Sequence, residues 1–184
     1  MKLFFILSLV LFAFQSQAKD LNGASFPETV NVGRATLSLN GLGMRTATMF
    51  KVKVYAAGLY LAQKSNDPAT ILASQWPMQL QMEFFRSVSA KDVREAWDKS
   101  FKENCGEKCK AFEGSIGELK KLMKDMQTKE RMTYTFQESG VEVAFDGKKA
   151  GEVAGADFSR FLLSTWLGKN PPNESLKTGL LGLE

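Results

Sequence analysis

The sequence predicts an α+β fold in which a mainly antiparallel sheet is covered by helices, and three features carry that expectation. Strand-like segments come in runs with helices segregated between them, not in strict alternation. Residues 131–153 read as a meander whose turns are Ser139-Gly140 and Asp146-Gly147. With the first 18 of the 184 residues set aside, the remaining length, without a linker or repeat, suits one domain that folds without metal or disulfide staples.

The chain opens with a segment that is not expected to belong to the fold. Lys2, the apolar run Leu3 to Phe14 and the small-residue stop Ser16-Gln17-Ala18 read as a secretory signal peptide over residues 1–18, cleaved after Ala18. The competing reading is a membrane-anchoring helix, but the apolar run is shorter than the roughly 20 residues a span needs. The mature domain is therefore expected over 19–184, secreted and periplasmic, with no membrane span once the leader is removed.

Thr36 to Asn40 alternates as a strand and is read as turning at Asn40-Gly41. A long strand follows from about Thr48 to Leu61, with Phe50, Val52, Val54 and Ala56 on one face and Lys51, Lys53 and Tyr55 on a wetter one. Asp67 caps a short helix with Pro68 at its first position, and a strand runs from Met78 to Phe85. Ser89 begins a helix reaching about Asn104, with Val93, Trp97, Phe101 and Asn104 on one stripe. A second helix is expected from about Phe112 to Met126, turning Ile116, Leu119, Leu122 and Met123 inward, although Gly114 and Gly117 weaken its start. The meander comes next. Asp157 then opens a helix through FSRFLLSTWLG that Gly168 ends, and a short helix from Glu174 to Leu181 closes the chain.

Composition removes whole classes of function. The formal charge is +4, but the lysines are interleaved with acids, so no nucleic-acid partner is expected. Even the basic stretch from Lys120 to Arg131 reads as a solvated helix face. The absence of histidine excludes Ser-His and Cys-His machinery and every histidine-ligated metal. Cys105 and Cys109 are too few and wrongly spaced for zinc and lack the CxxC pattern. In an exported protein they most simply form one disulfide, with a free reduced pair as the alternative. No cofactor and no metal are expected.

Three polar residues fall where the pattern predicts burial: Arg45, Asn104 and Thr165. Together they could line one cleft. Each also has a plain structural reading, Arg45 paired with a surface acid, Asn104 capping its helix and Thr165 bonding the carbonyl four residues back. Gly41-x-Gly43 lacks the third glycine and the helix of a phosphate loop and is read as turn chemistry. The aromatics Phe84, Phe85, Trp97, Phe101, Phe158, Phe161 and Trp166 are read mostly as core. Glu83, Glu152 and Asp157 show no spacing that identifies an acid/base pair.

The ordered segments LNGLGMRTATMFKVKVYAAGLYL, SVSAKDVREAWDKSFKENC and DFSRFLLSTWLGKNPPNESLKTGLLG resemble the chalcone isomerase-like family, in its bacterial exported branch. The resemblance implies an open-faced β-sandwich, a large antiparallel sheet covered by a layer of helices with a ligand cleft between. In the plant enzymes an arginine, a strand threonine, a helix tyrosine, an asparagine and a late threonine surround a flavonoid whose phenolate adds to an enone. By motif the arginine falls on Arg45, the asparagine on Asn104 and the late threonine on Thr165, whereas the strand threonine falls on Tyr55 and the tyrosine on Trp97. Tryptophan donates only from its indole nitrogen and has no hydroxyl to relay a proton. Related plant proteins of this fold bind fatty acids instead, with the arginine on the carboxylate.

The resulting expectation is an exported protein that binds a small amphiphilic anion, a fatty acid or similar carboxylate, in a cleft headed by Arg45 with Tyr55, Trp97, Asn104 and Thr165 around it. One alternative is an intramolecular lyase or isomerase for an enone or phenolic substrate, with Arg45 stabilising oxyanion charge while Tyr55, Asn104 and Thr165 orient substrate and water. Another is a periplasmic scaffold whose cleft Trp97 and Tyr55 have collapsed.

Overall fold

A computed structural model describes residues 17–48 and 50–183. The expected leader lies outside the described residues apart from Gln17, which precedes the first strand, and Ala18, which begins it. Among the described residues nine strands and five α-helices follow in the order β1 (Ala18–Leu21), β2 (Ala24–Pro27), β3 (Thr29–Val32), β4 (Ala35–Ala47), β5 (Val52–Leu61), α1 (Pro68–Ala73), β6 (Met78–Phe84), α2 (Ala90–Asn104), α3 (Glu113–Leu122), β7 (Arg131–Phe136), β8 (Gly140–Phe145), β9 (Lys148–Ala154), α4 (Ala156–Leu167) and α5 (Glu174–Leu180). Strands β3 to β9 form one antiparallel sheet in sequence order, and β1 pairs with β2 in a separate hairpin. The α+β expectation holds.

Each face of the sheet carries its own core. Leu59, Leu80, Tyr134 and Phe136 pack toward the helices, meeting Trp97, Phe158, Leu162 and Trp166. On the other face Leu37, Leu39, Ala56 and Tyr60 pack under the β1–β2 hairpin, which inserts Ala24 and Phe26. From Ala56 onward β5 is therefore buried on both faces, contrary to the single wet face its alternation suggests. The hairpin supplies the missing cover, and strands β1 to β3 have no counterpart in the sequence reading.

The turn expected at Asn40-Gly41 is not a turn. Strand β4 runs straight through it, and the chain reverses later, where the Lys51 amide donates to the Thr48 carbonyl. The glycines serve a close approach of helix α5 to the strand. A Cβ on Gly41 would stand 2.1 Å from the Gly179 carbonyl oxygen, and one on Gly43 would stand 2.2 Å from that of Leu176. Asn40 is the extra residue of a β-bulge there. Its amide donates to the Ser65 and Leu180 carbonyls, tying the strand to the end of α5.

The helix caps follow the sequence closely. Asp67 accepts from the Ala69 and Thr70 amides, and Ser89 from that of Asp92. The helix expected over 112–126 is shorter, because a 3₁₀ segment occupies Gly106–Phe112 and the chain leaves α3 to form a bridge between Val88 and Met126. Cys105 and Cys109 are joined in a disulfide just beyond α2. Among the described residues no helix is long and apolar enough to cross a membrane.

Candidate functional site

Register brings the site together before any helix is considered. Arg45 on β4 lies opposite Tyr55 on β5, which lies opposite Phe84 on β6. Directly paired residues share a face of the sheet, so this row points toward the helices. Two residues further along β6, Met82 pairs with Met132 and continues the same face. Between these strands, helix α2 and the end of α4 lies a cavity of about 680 Å³. That volume is within the roughly 300–1,000 Å³ common for small-molecule sites.

The walls are apolar and the rim is charged. Met82, Phe84, Trp97, Met132, Tyr134 and Trp166 line the interior, while Arg45, Arg86, Asp92, Lys99 and Glu103 also border the space. Trp97 stacks on Phe101 at 5.1 Å and meets Trp166 edge-on at 5.3 Å. This contact fixes the floor, because edge-to-face and offset aromatic pairs resist rearrangement. Trp97 and Tyr55 thus stand on the walls of an open cavity; they do not fill it, and the collapsed cleft of the scaffold alternative is not observed.

Arg45 is half-buried beside this apolar space. Its guanidinium donates to the neighbouring Thr46 carbonyl, and among the described residues no carboxylate completes an ion pair with it. The surface acid that the plain reading requires is not found. Tyr55 accepts a hydrogen bond from the Trp166 indole N–H at 3.3 Å. Because its oxygen is the acceptor in that bond, the phenolic proton remains available to the cavity. Burial pushes the Tyr55 phenol up, against opposing effects of the Trp166 bond and the Arg45 charge. It therefore stays a neutral donor at neutral pH.

Thr165 and Asn104 occupy different situations. Thr165 borders the cavity but is fully buried, and its hydroxyl donates to the Leu162 carbonyl at 2.7 Å, three residues back and not four. It offers the space a methyl group and lone pairs. Asn104 is not among the lining residues. Its amide donates to the Ser100 and Asn170 carbonyls at 3.0 and 2.9 Å, and the Asn170 amide returns a bond to the Glu103 carbonyl. Asn104 thereby clasps the end of α2 to the segment after α4.

The structure thus gathers Arg45, Tyr55, Trp97 and Thr165 at one cavity and sets Asn104 behind its rim. Sequence reading missed Met82 and Met132, although the alternation of β6 and β7 puts both on the face of Tyr55. Phe84 and Trp166 were read as core, and they are core that also borders open space. Arg86, one residue past Phe85 in an exposed connection, carried no signal.

Comparison with known proteins identifies the fold and the family. No curated protein matches the chain significantly. Among solved structures it is similar to the fatty-acid binding protein of Arabidopsis thaliana, with a TM-score of 0.69 and 17% identity over 90% of this chain and 96% of that one. At that identity the likeness establishes the fold. The family model described as chalcone isomerase-like matches residues 18–182, nearly the whole described chain, and the protein belongs to the chalcone isomerase-like family.

Proposed function

We propose that the protein holds a fatty acid or a similar amphiphilic carboxylate, its head group on Arg45 and Tyr55 and its chain in the cavity. One observation carries the reading: a guanidinium without an acidic partner among the described residues stands beside an apolar cavity of about 680 Å³. Removing an arginine charge from bulk water without a counterion is unfavourable, so the arrangement favours an anionic guest. The Tyr55 proton adds a second donor on the same row of the sheet. That a plant protein of this fold is a fatty-acid binding protein supports the same choice. The lyase alternative has weaker support, since Asn104 is engaged by two backbone carbonyls away from the lining.

Native mass spectrometry of detergent-free protein with dodecanoate or hexadecanoate tests the proposal. One adduct per chain is expected on the wild type and none on Arg45→Ala. Absence of an adduct on both proteins overturns the carrier reading.

The same proposal includes export to the periplasm. The leader pattern of residues 1–18 and a disulfide suited to an oxidising compartment support it. Intact mass of the protein from a periplasmic extract should correspond to a chain beginning at Lys19.

A further inference from the structure

The turn between β4 and β5 lies beside the cavity, on the side where the exposed Thr48, Arg86 and Lys99 border it. Ala47 and Thr48, which lead into this turn, border the cavity. Phe50 on the turn is 87% exposed, the most exposed large apolar side chain of the described residues, and Val52 beside it is 36% exposed. A single exposed apolar residue needs no explanation, but its setting here is basic. Lys51 and Lys53 flank Phe50 and Val52, and Arg86 and Lys99 border the opening. Lys53 donates to the Asn22 side chain, which leaves its charge intact, and Lys99 stands 4.0 Å from Glu103. Lys51 and Arg86 have no ion-pair partner among the described residues. The acids on this rim are Asp92 and Glu103.

We propose that the β4–β5 turn is a docking tip for an anionic phospholipid surface, with Phe50 entering the headgroup boundary and Lys51, Lys53 and Arg86 facing lipid phosphates. The inference builds on the reading of the cavity as an amphiphile site. An amphiphilic carboxylate partitions into bilayers, and a tip at the cavity opening sets that opening against the phase holding the ligand. One aromatic side chain and a few cations give weak, reversible attachment, which suits a carrier that must leave again. The association is accordingly salt-dependent.

Co-sedimentation of the mature protein with vesicles of equal parts phosphatidylglycerol and phosphatidylcholine tests the docking tip, with pure phosphatidylcholine vesicles alongside. Binding to the anionic vesicles alone, weakened by salt, is expected. Phe50→Ser should weaken it about tenfold, the scale of one aromatic side chain leaving an apolar phase. Lys51→Gln should weaken it about fivefold. Both variants should retain fatty acid in native mass spectra, since neither side chain lines the cavity. Wild-type protein that loads fatty acid yet ignores anionic vesicles overturns the docking tip and leaves the carrier reading intact. Vesicle binding indifferent to Phe50→Ser overturns it too. Protein that docks through Phe50 but takes no fatty acid sustains the tip and defeats the carrier reading instead.

Discussion

The two faces of the sheet each set an arginine near a tyrosine, and they treat the pair in opposite ways. On the hairpin face Arg131 reaches Glu83 through Nε at 3.0 Å and Nη2 at 2.7 Å, donates to the Ser25 carbonyl and lies over the Phe26 ring at 5.5 Å. Nearby Tyr60 is fully buried, and its hydroxyl has no partner among the described residues. On the helix face Arg45 has a backbone carbonyl and, among the described residues, no acid, while Tyr55 has a donor on its oxygen and an open cavity before its proton. One arginine is consumed by structure and the other is left with binding capacity. An arginine beside a buried phenol therefore says little about function until its remaining hydrogen-bond sites are assigned.

Phe26 should produce the largest effect and leave binding untouched. It is completely buried, and it rests where a Cβ on Gly58 would come within 2.9 Å of its ring. Phe26→Ala should cost about 3–5 kcal/mol, the usual range for deleting a buried aromatic ring. Urea unfolding measures that loss, and fatty-acid titration of the folded fraction should give an affinity within about twofold of wild type. A loss of affinity matching the loss of stability would mean that the two faces are coupled.

Exchanging the arginines sharpens the contrast. Arg131→Met strands the largely buried Glu83 carboxylate and should lower stability by about 1–2 kcal/mol, less than a deeply buried pair because the guanidinium is partly solvated. Its fatty-acid affinity should not change. Arg45→Met should do the reverse, with stability within about 0.5 kcal/mol and affinity reduced about 10- to 100-fold, the scale of a charge-assisted hydrogen bond. Calorimetric titration and urea unfolding of both variants make the test, and parallel losses in one variant would erase the distinction.

That distinction was only half legible in the sequence. Arg45 stood out because a permanent charge interrupts an apolar stretch, and its row with Tyr55 and Phe84 follows from antiparallel pairing. Cap residues Asp67 and Ser89 and the Gly-containing turns of the meander are local signals, and they set their elements as expected. Gly41 and Gly43 misled because glycine has two uses, a turn and a close approach, and only α5, more than 130 residues later, decides between them. Asn104 illustrates the same limit. Its place on an apolar stripe gives no hint that Asn170 would take its amide. The β1–β2 hairpin is four residues a side with little alternation to read, yet it turns a wet face into a core.

The alkaline limb of stability probes all three tyrosines at once. Burial raises the phenol of Tyr55, Tyr60 and Tyr134 above its ordinary value near 10. A group raised in the folded state stays protonated there after the unfolded chain has released its proton. Stability is thus complete below pH 10 and falls as pH rises beyond it. Ultraviolet titration should show no phenolate in the native protein near pH 10 and abrupt appearance of phenolate on alkaline unfolding. A tyrosine titrating smoothly near 10 would place at least one ring in contact with water.

The smallest effects carry the finest test, a single oxygen removed from each face. Tyr55→Phe takes a donor from the ligand and leaves the Trp166 indole N–H without its acceptor. Affinity should fall about fivefold and stability by about 1 kcal/mol, the net scale of one hydrogen bond. Tyr60→Phe removes a hydroxyl that is buried without a partner, so the same chemical change should leave affinity alone and raise stability by about 1 kcal/mol. Urea unfolding and fatty-acid titration of the two variants should give opposite signs in stability and a response in binding from Tyr55 alone. If Tyr60→Phe is destabilising, its hydroxyl is hydrogen-bonded, with water inside the hairpin core as the available partner, and that face is wetter than its packing implies.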